Sequence, residues 1–132
     1  MCVKNGGKSQ LAAALMRHHV GSTVDVHSAG THPGSGLNAE SVASLTEVGA
    51  SVGGEHPKPI DPELLDTVDR VILLGQEVSI DNPGTAPIER WYTDEPSTRG
   101  ITGMERMRLI RDDITQRIAQ LATELRTPAS GG

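Results

Sequence analysis

Cys2 is the only cysteine of the chain, and the residues that follow it suit an anion held beside its sulfur. The stretch CVKNGGKSQ, residues 2 to 10, runs directly into an Ala-rich helical pattern. A loop that enters a helix N-terminus turns several backbone N–H groups toward one point, and the helix dipole adds about half a positive charge there. Gly6 and Gly7 let the backbone curl so that the amides converge, Lys8 adds a full charge, and Asn5 and Ser9 offer short polar side chains. Val3, Lys4, Asn5, Gly6, Gly7 and Lys8 are therefore the expected oxyanion cradle. The same surroundings favour a thiolate, the form in which cysteine acts as a nucleophile. A lone cysteine is more often an inert, buried small hydrophobe, but glycines, a lysine and a serine at a helix start favour the reactive reading here.

Gly7-Lys8-Ser9 also ends the way a nucleotide-binding phosphate loop does. That motif needs a glycine where this chain has Cys2, and the apolar run RVILLG lacks the Asp that would hold Mg²⁺. The cysteine chemistry is the better match.

The elements that must position this loop follow from periodicity. Leu11, Leu15 and Met16 recur at helical spacing up to His18 and His19, and Gly21 ends the run. TVDVHS, residues 23 to 28, alternates as a half-buried strand does, and an irregular AGTHPGSG follows. Asn38 is an N-cap for a helix expected to bury Val42, Leu45 and Val48 and to close at Gly49. Asp61 caps a short helix with Pro62 at its first position. RVILLG, residues 70 to 75, reads as a parallel strand covered on both faces, and IERWY as a weaker strand before TDEPSTRG. In the last helix Thr102 and Glu105 form a capping box, and Met107, Ile110, Ile114, Ile118, Leu121 and Leu125 make its apolar stripe. Strands alternating with helices imply an α/β domain with a parallel sheet, whose ligands sit beyond the carboxyl ends of the strands.

At 132 residues the chain is one domain, expected over 1–126 with a disordered tail at 127–132. A net charge of −5 and a pI near 5.4 give no basic footprint for nucleic acid. No apolar run approaches the roughly 18 residues of a membrane span, and no secretion signal opens the chain. A cytoplasmic protein without membrane or nucleic-acid partners is expected. His27, His32 and His56 are scattered, so no metal site is expected. His18 and His19 suit the negative end of the first helix. Trp91 and Tyr92 either wall the pocket or pack ordinarily. Arg106, Arg108 and Arg111 are expected to form a solvated face.

The loop resembles the active-site loop of the low-molecular-weight protein tyrosine phosphatase superfamily: Cys, five residues, Arg, then Ser or Thr. It is closer still to the arsenate reductase branch, where Gln follows the Ser and an Ala-rich helix comes next, as in SQLAAALM. The resemblance continues in HSAGT (27–31), in IDPELLDTVDRVILLG and in WYTDEPSTRG, and so spans nearly the whole chain. It implies a three-layer Rossmann-like α/β domain with a short parallel sheet flanked by helices. It also implies that Cys2 is the nucleophile, that Asn5 shapes the loop, that Ser9 hydrogen-bonds the thiolate, and that the acid before Pro96 is the general acid.

Two departures bear on chemistry. Lys8 stands where the family has an arginine that clamps an oxyanion with two parallel hydrogen bonds, as in reductases coupled to the small thiol mycothiol. Glu95 precedes Pro96 where the family has Asp, with Asp94 one place earlier, so either carboxyl could serve. The family's thioredoxin-coupled reductases use a relay of cysteines, which these 132 residues lack. The implied activity is an arsenate–mycothiol transferase with no bound cofactor, an external thiol such as mycothiol as co-substrate and a glutaredoxin-like mycoredoxin as partner. The oxyanion bound is arsenate or phosphate, and the alternatives are a small phosphatase acting on phosphotyrosine and a non-catalytic oxyanion binder. The family also sets an apolar strand before its cysteine. Only Met1 precedes Cys2 here, so that first strand is expected to be missing through an upstream start or truncation.

Overall fold

The computed structural model describes residues 1–2, 4–21, 23–80, 84–93 and 95–126; the tail expected over 127–132 lies outside them. The chain runs through α1 (Lys8–Val20), α2 (Ala39–Glu47), α3 (Pro62–Leu65), β1 (Val71–Leu74), β2 (Ile88–Trp91), a 3₁₀ turn (Pro96–Arg99) and α4 (Gly103–Arg126). Strands β1 and β2 are parallel, with Val71 beside Ile88 and Leu74 beside Trp91. Successive strand residues face opposite ways, so each face of β1 meets a different core. Leu74 and Trp91 join Leu11, Leu45, Met107, Ile110, Ile114 and Ile118 in the layer made by α1, α2 and α4. Val71 and Leu73 pack with Leu65 of α3 and Val78 on the other face. These are the helix, sheet and helix layers of a three-layer α/β domain, and none of its described helices is long and apolar enough to cross a membrane.

The local signals explain most of the boundaries. Asn38 accepts from the Ser41 N–H and Asp61 from the Glu63 N–H, with Pro62 in the first turn of α3. The α4 stripe is buried from Met107 to Ala122. The expected capping box is not formed: Gly103 enters α4 at φ +64, a left-handed conformation glycine takes readily, and no hydrogen bond joins Thr102 to Glu105.

Three expectations need correction. Residues 23–28 are not a strand. Pairing defines a strand, and only Gly30 is paired, by isolated bridges to Cys2 and Pro59. Met1 and Cys2 lie between this segment and β1, with the Leu74 N–H donating to the Met1 carbonyl at 2.8 Å and the Thr31 N–H to the Cys2 carbonyl at 3.3 Å. The sheet is therefore two strands extended by bridges, and residues 23–31 do not pair directly with β1. Secondly, α2 buries Ser41, Ser44 and Leu45, while Val48, past the last helical turn, is 41% exposed. The third concerns the arginines. Arg111 is buried because it falls on the α4 stripe between Met107 and Ile114, where it donates to the Ser44 carbonyl and to Glu47. Arg108 grips the same carboxylate through two nitrogens.

This clamp ties α2 to α4, and hydrogen bonds from Arg108 and then Arg111 lower the Glu47 carboxyl from its ordinary 4.5 to about 2. A carboxylate depressed in the folded state stabilises it above the unfolded value and loses that contribution as protons bind. Stability should therefore fall as pH drops from 4.5 toward 2. Melting temperatures measured across that window should fall less steeply for Glu47→Gln; parallel curves would show that the clamp carries no folding free energy.

Candidate active site

Cys2 lies at the carboxyl side of the sheet, where the loop to residue 8 leaves the sheet and enters α1. Helix α1 opens without a side-chain cap, and its first internal bond is Leu11 N–H to the Gly7 carbonyl. The amides of Lys8, Ser9 and Gln10 precede that bond and are the first-turn donors available to an anion.

The loop's shape is imposed from outside by residues 34–38. The Gly34 N–H donates to the Lys4 carbonyl at 2.9 Å, and the Asn38 N–H to the Gly6 carbonyl at 2.7 Å. In a trans peptide the carbonyl and the following N–H point oppositely. With those carbonyls held outward, the amides of Asn5 and Gly7 turn inward, and the Asn5 N–H reaches Cys2 Sγ at 3.3 Å. Gly6 has to be glycine, because a Cβ there would lie 2.8 Å from the Gly36 carbonyl oxygen. Asn5 takes φ +53, a left-handed conformation in which Asn is enriched among non-glycine residues.

Asn5 is fully buried, and its side chain sets the direction of the hydrogen bonds. The Lys58 N–H, 3.0 Å away, can only donate, so the Asn5 atom facing it is Oδ1. Nδ2 then donates to Ser9 Oγ at 2.7 Å. The Ser9 hydroxyl is left free to donate to Cys2 Sγ at 2.9 Å. A thiolate only accepts, so a hydroxyl and an amide both aimed at the sulfur stabilise its negative charge.

At the mouth, the Lys8 ammonium and the Glu95 carboxylate form an ion pair. The structure thus brings Cys2, Asn5 and Ser9 together with Gly6 and Gly7, and Glu95 reaches this loop through Lys8. Lys4 contributes its carbonyl to the outer contact and its side chain is exposed. Val3 and Asp94 lie outside the described residues.

Trp91 belongs to the core, so packing is its role. Tyr92 is 65% exposed and its carbonyl accepts from Arg117. His18 and His19 lie exposed in the last turn of α1. His27 pairs with Asp25, and His32 with Thr31.

Sequence reasoning gave no role to Gln10, the Lys58 amide or the cradle at 34–38. Their contacts to the loop span up to 53 residues, and no local period signals such pairing. The visible hints were the place of Gln10 after Ser9 in the loop motif and a glutamine among the small and apolar residues of α1.

A family model described as low molecular weight phosphotyrosine protein phosphatase matches residues 1–130. The arsenate reductase of Bacillus licheniformis is 31% identical over 128 residues, 92% of this chain and 91% of that protein. The arsenate reductase of Halalkalibacterium halodurans is 30% identical over the same length and shares of each chain. Among solved structures, the thioredoxin-dependent arsenate reductase of Corynebacterium glutamicum superposes with a TM-score of 0.77 at 31% identity. That match covers 95% of this chain and 59% of the longer protein. With the cysteine loop, the left-handed Asn5 and the parallel sheet already in place, these matches establish that the chain belongs to the low molecular weight phosphotyrosine protein phosphatase family, on its arsenate reductase branch.

Proposed function

We propose that the protein reduces arsenate through a single-cysteine thiol-transfer route. The observation that carries this is the pair of donors, the Asn5 N–H and the Ser9 hydroxyl, aimed at the sulfur of the only cysteine in these 132 residues. The arsenate reductases among its relatives supply the substrate class.

Cys2 attacks arsenic while an As–O bond breaks, and Glu95 or Asp94 protonates the departing oxygen so that it leaves as water. The loop amides and Lys8 hold the remaining oxygens. No neighbouring cysteine of these residues can then form an internal disulfide, so an external low-molecular-weight thiol such as mycothiol attacks arsenic. This frees the Cys2 thiolate and leaves a thiol–arsenic(V) adduct. A thiol of a glutaredoxin-like mycoredoxin attacks the sulfur of that adduct. A mixed disulfide forms, and the electron pair of the broken S–As bond stays on arsenic, giving arsenite. The C. glutamicum protein named thioredoxin-dependent extends well beyond the matched region, and the route proposed here needs no second cysteine in this chain.

A single ammonium at Lys8, already engaged by Glu95, holds a planar set of phosphoryl oxygens less well than an arginine fork does. This favours thiol transfer over phosphate-ester hydrolysis. The test is a paired assay of arsenite formation and aryl phosphate hydrolysis on one preparation. Arsenite should appear only with the thiol and the glutaredoxin-like protein present, and ester hydrolysis should be slow. Rapid hydrolysis without arsenite would make the protein a phosphatase, and neither activity would leave a non-catalytic oxyanion binder.

A further inference from the structure

The strongest unassigned feature is Gln10, which is 2% exposed and lies in the first turn of α1. Its Nε2 donates to Asn5 Oδ1 and to the His56 carbonyl, both at 3.1 Å. Both neighbours are oxygens, so the group facing them is the amide nitrogen. Its own Oε1 finds no hydrogen-bond partner among the described residues. A buried amide left half satisfied destabilises the fold, so packing alone does not account for a glutamine at this site.

The bonds form one directed chain. Asn5 Oδ1 accepts from Gln10 and from the Lys58 N–H, which fixes its amide so that Nδ2 faces Ser9. Accepting two N–H groups at Oδ1 polarises the Asn5 amide and strengthens the Nδ2 donor. Hydrogen bonds in series reinforce one another in this way. Ser9, already accepting from Asn5, is turned to donate to Cys2 Sγ. The segment that supplies the far anchors, residues 55–58, is itself held to α1. Glu55 pairs with Arg17 and with Lys58, and Lys58 Nζ also reaches Ser28 Oγ.

We propose that Gln10 is a positioning residue for the nucleophile: bridging the 55–58 segment to Asn5, it aims the Ser9 hydroxyl at Cys2. The proposal rests on Cys2 being the reactive group, and its test reads the thiol directly without depending on arsenate as the substrate.

The experiment is the rate of alkylation of the full chain by iodoacetamide as a function of pH. It compares wild type with Gln10→Met and Gln10→Leu, each in the Ser9 and the Ser9→Ala backgrounds. Folding is checked by circular dichroism, and two Gln10 variants are made so that one folded protein is enough. With Ser9 present, losing the Gln10 amide should slow alkylation at neutral pH by roughly three- to tenfold, the worth of one hydrogen bond. At alkaline pH, where every thiol is ionised, the rates should coincide. In the Ser9→Ala background the Gln10 substitution should add nothing, because the route through the Ser9 hydroxyl is already cut. A profile superimposable on wild type, or the same slowing with and without Ser9, would overturn the role of Gln10. A wild-type protein that does not react at neutral pH would instead remove Cys2 as the nucleophile, a separate failure.

Discussion

Cys2→Ser should lower arsenite formation by more than about 10⁴-fold, the scale of losing a covalent nucleophile, while phosphate still binds. The binding half follows from the geometry. The outward-held carbonyls of Lys4 and Gly6, the left-handed Asn5 and the uncapped start of α1 are fixed by residues 34–38 and 58. None of those contacts involves sulfur. The cradle that holds the anion is unchanged by the substitution, so calorimetric affinity for phosphate should stay close to that of the wild type. Mass spectrometry of a trapped turnover mixture should place the thiol adduct on Cys2. Turnover of the serine variant close to wild type would remove the nucleophile assignment. Loss of phosphate binding would mean that sulfur shapes the loop.

The sequence carried this site unevenly, for physical reasons. Cys2, Asn5, Gly6, Gly7, Lys8 and Ser9 stand together in the chain, so their chemistry is readable as a motif. The helices were legible because burial repeats at their period, most clearly from Met107 to Leu121 on α4, and because Asn38 and Asp61 cap with their own side chains. What the chain did not display were contacts without a period. Gly6 is needed because Gly36 presses against it, and Asn5 is fixed by an amide 53 residues away.

Alternation misled at Val24 and Val26. Both are partly buried against the main core, but burial on alternate residues does not supply a hydrogen-bonding neighbour, and a strand needs one. Arg111 was misread from its charge. Its position four after Met107 and three before Ile114 put it on the buried stripe, and the Glu47 carboxylate with the Ser44 carbonyl satisfies it there. Charge type describes the exposed average, whereas helical phase decides the individual residue.

The second large effect is expected at Glu95, and it should split two quantities. In the free protein Glu95 pairs with Lys8 across the mouth of the loop, so the proposed acid and the proposed oxyanion-binding charge occupy each other. On the proposed route, an arriving arsenate competes for the Lys8 ammonium and releases Glu95 to act as the acid. A general acid is worth about 10²–10⁴-fold, so on the proposed assignment Glu95→Gln should slow the single-turnover step that expels water by that amount. The same substitution frees Lys8 from its counter-ion, so affinity for phosphate should rise several-fold. A merely structural residue would not tighten binding and slow chemistry together. If Glu95→Gln tightens phosphate binding and leaves the single-turnover rate unchanged, Glu95 serves only as the lysine's counter-ion. The proton would then come from another group, with Asp94→Asn as the next variant to measure.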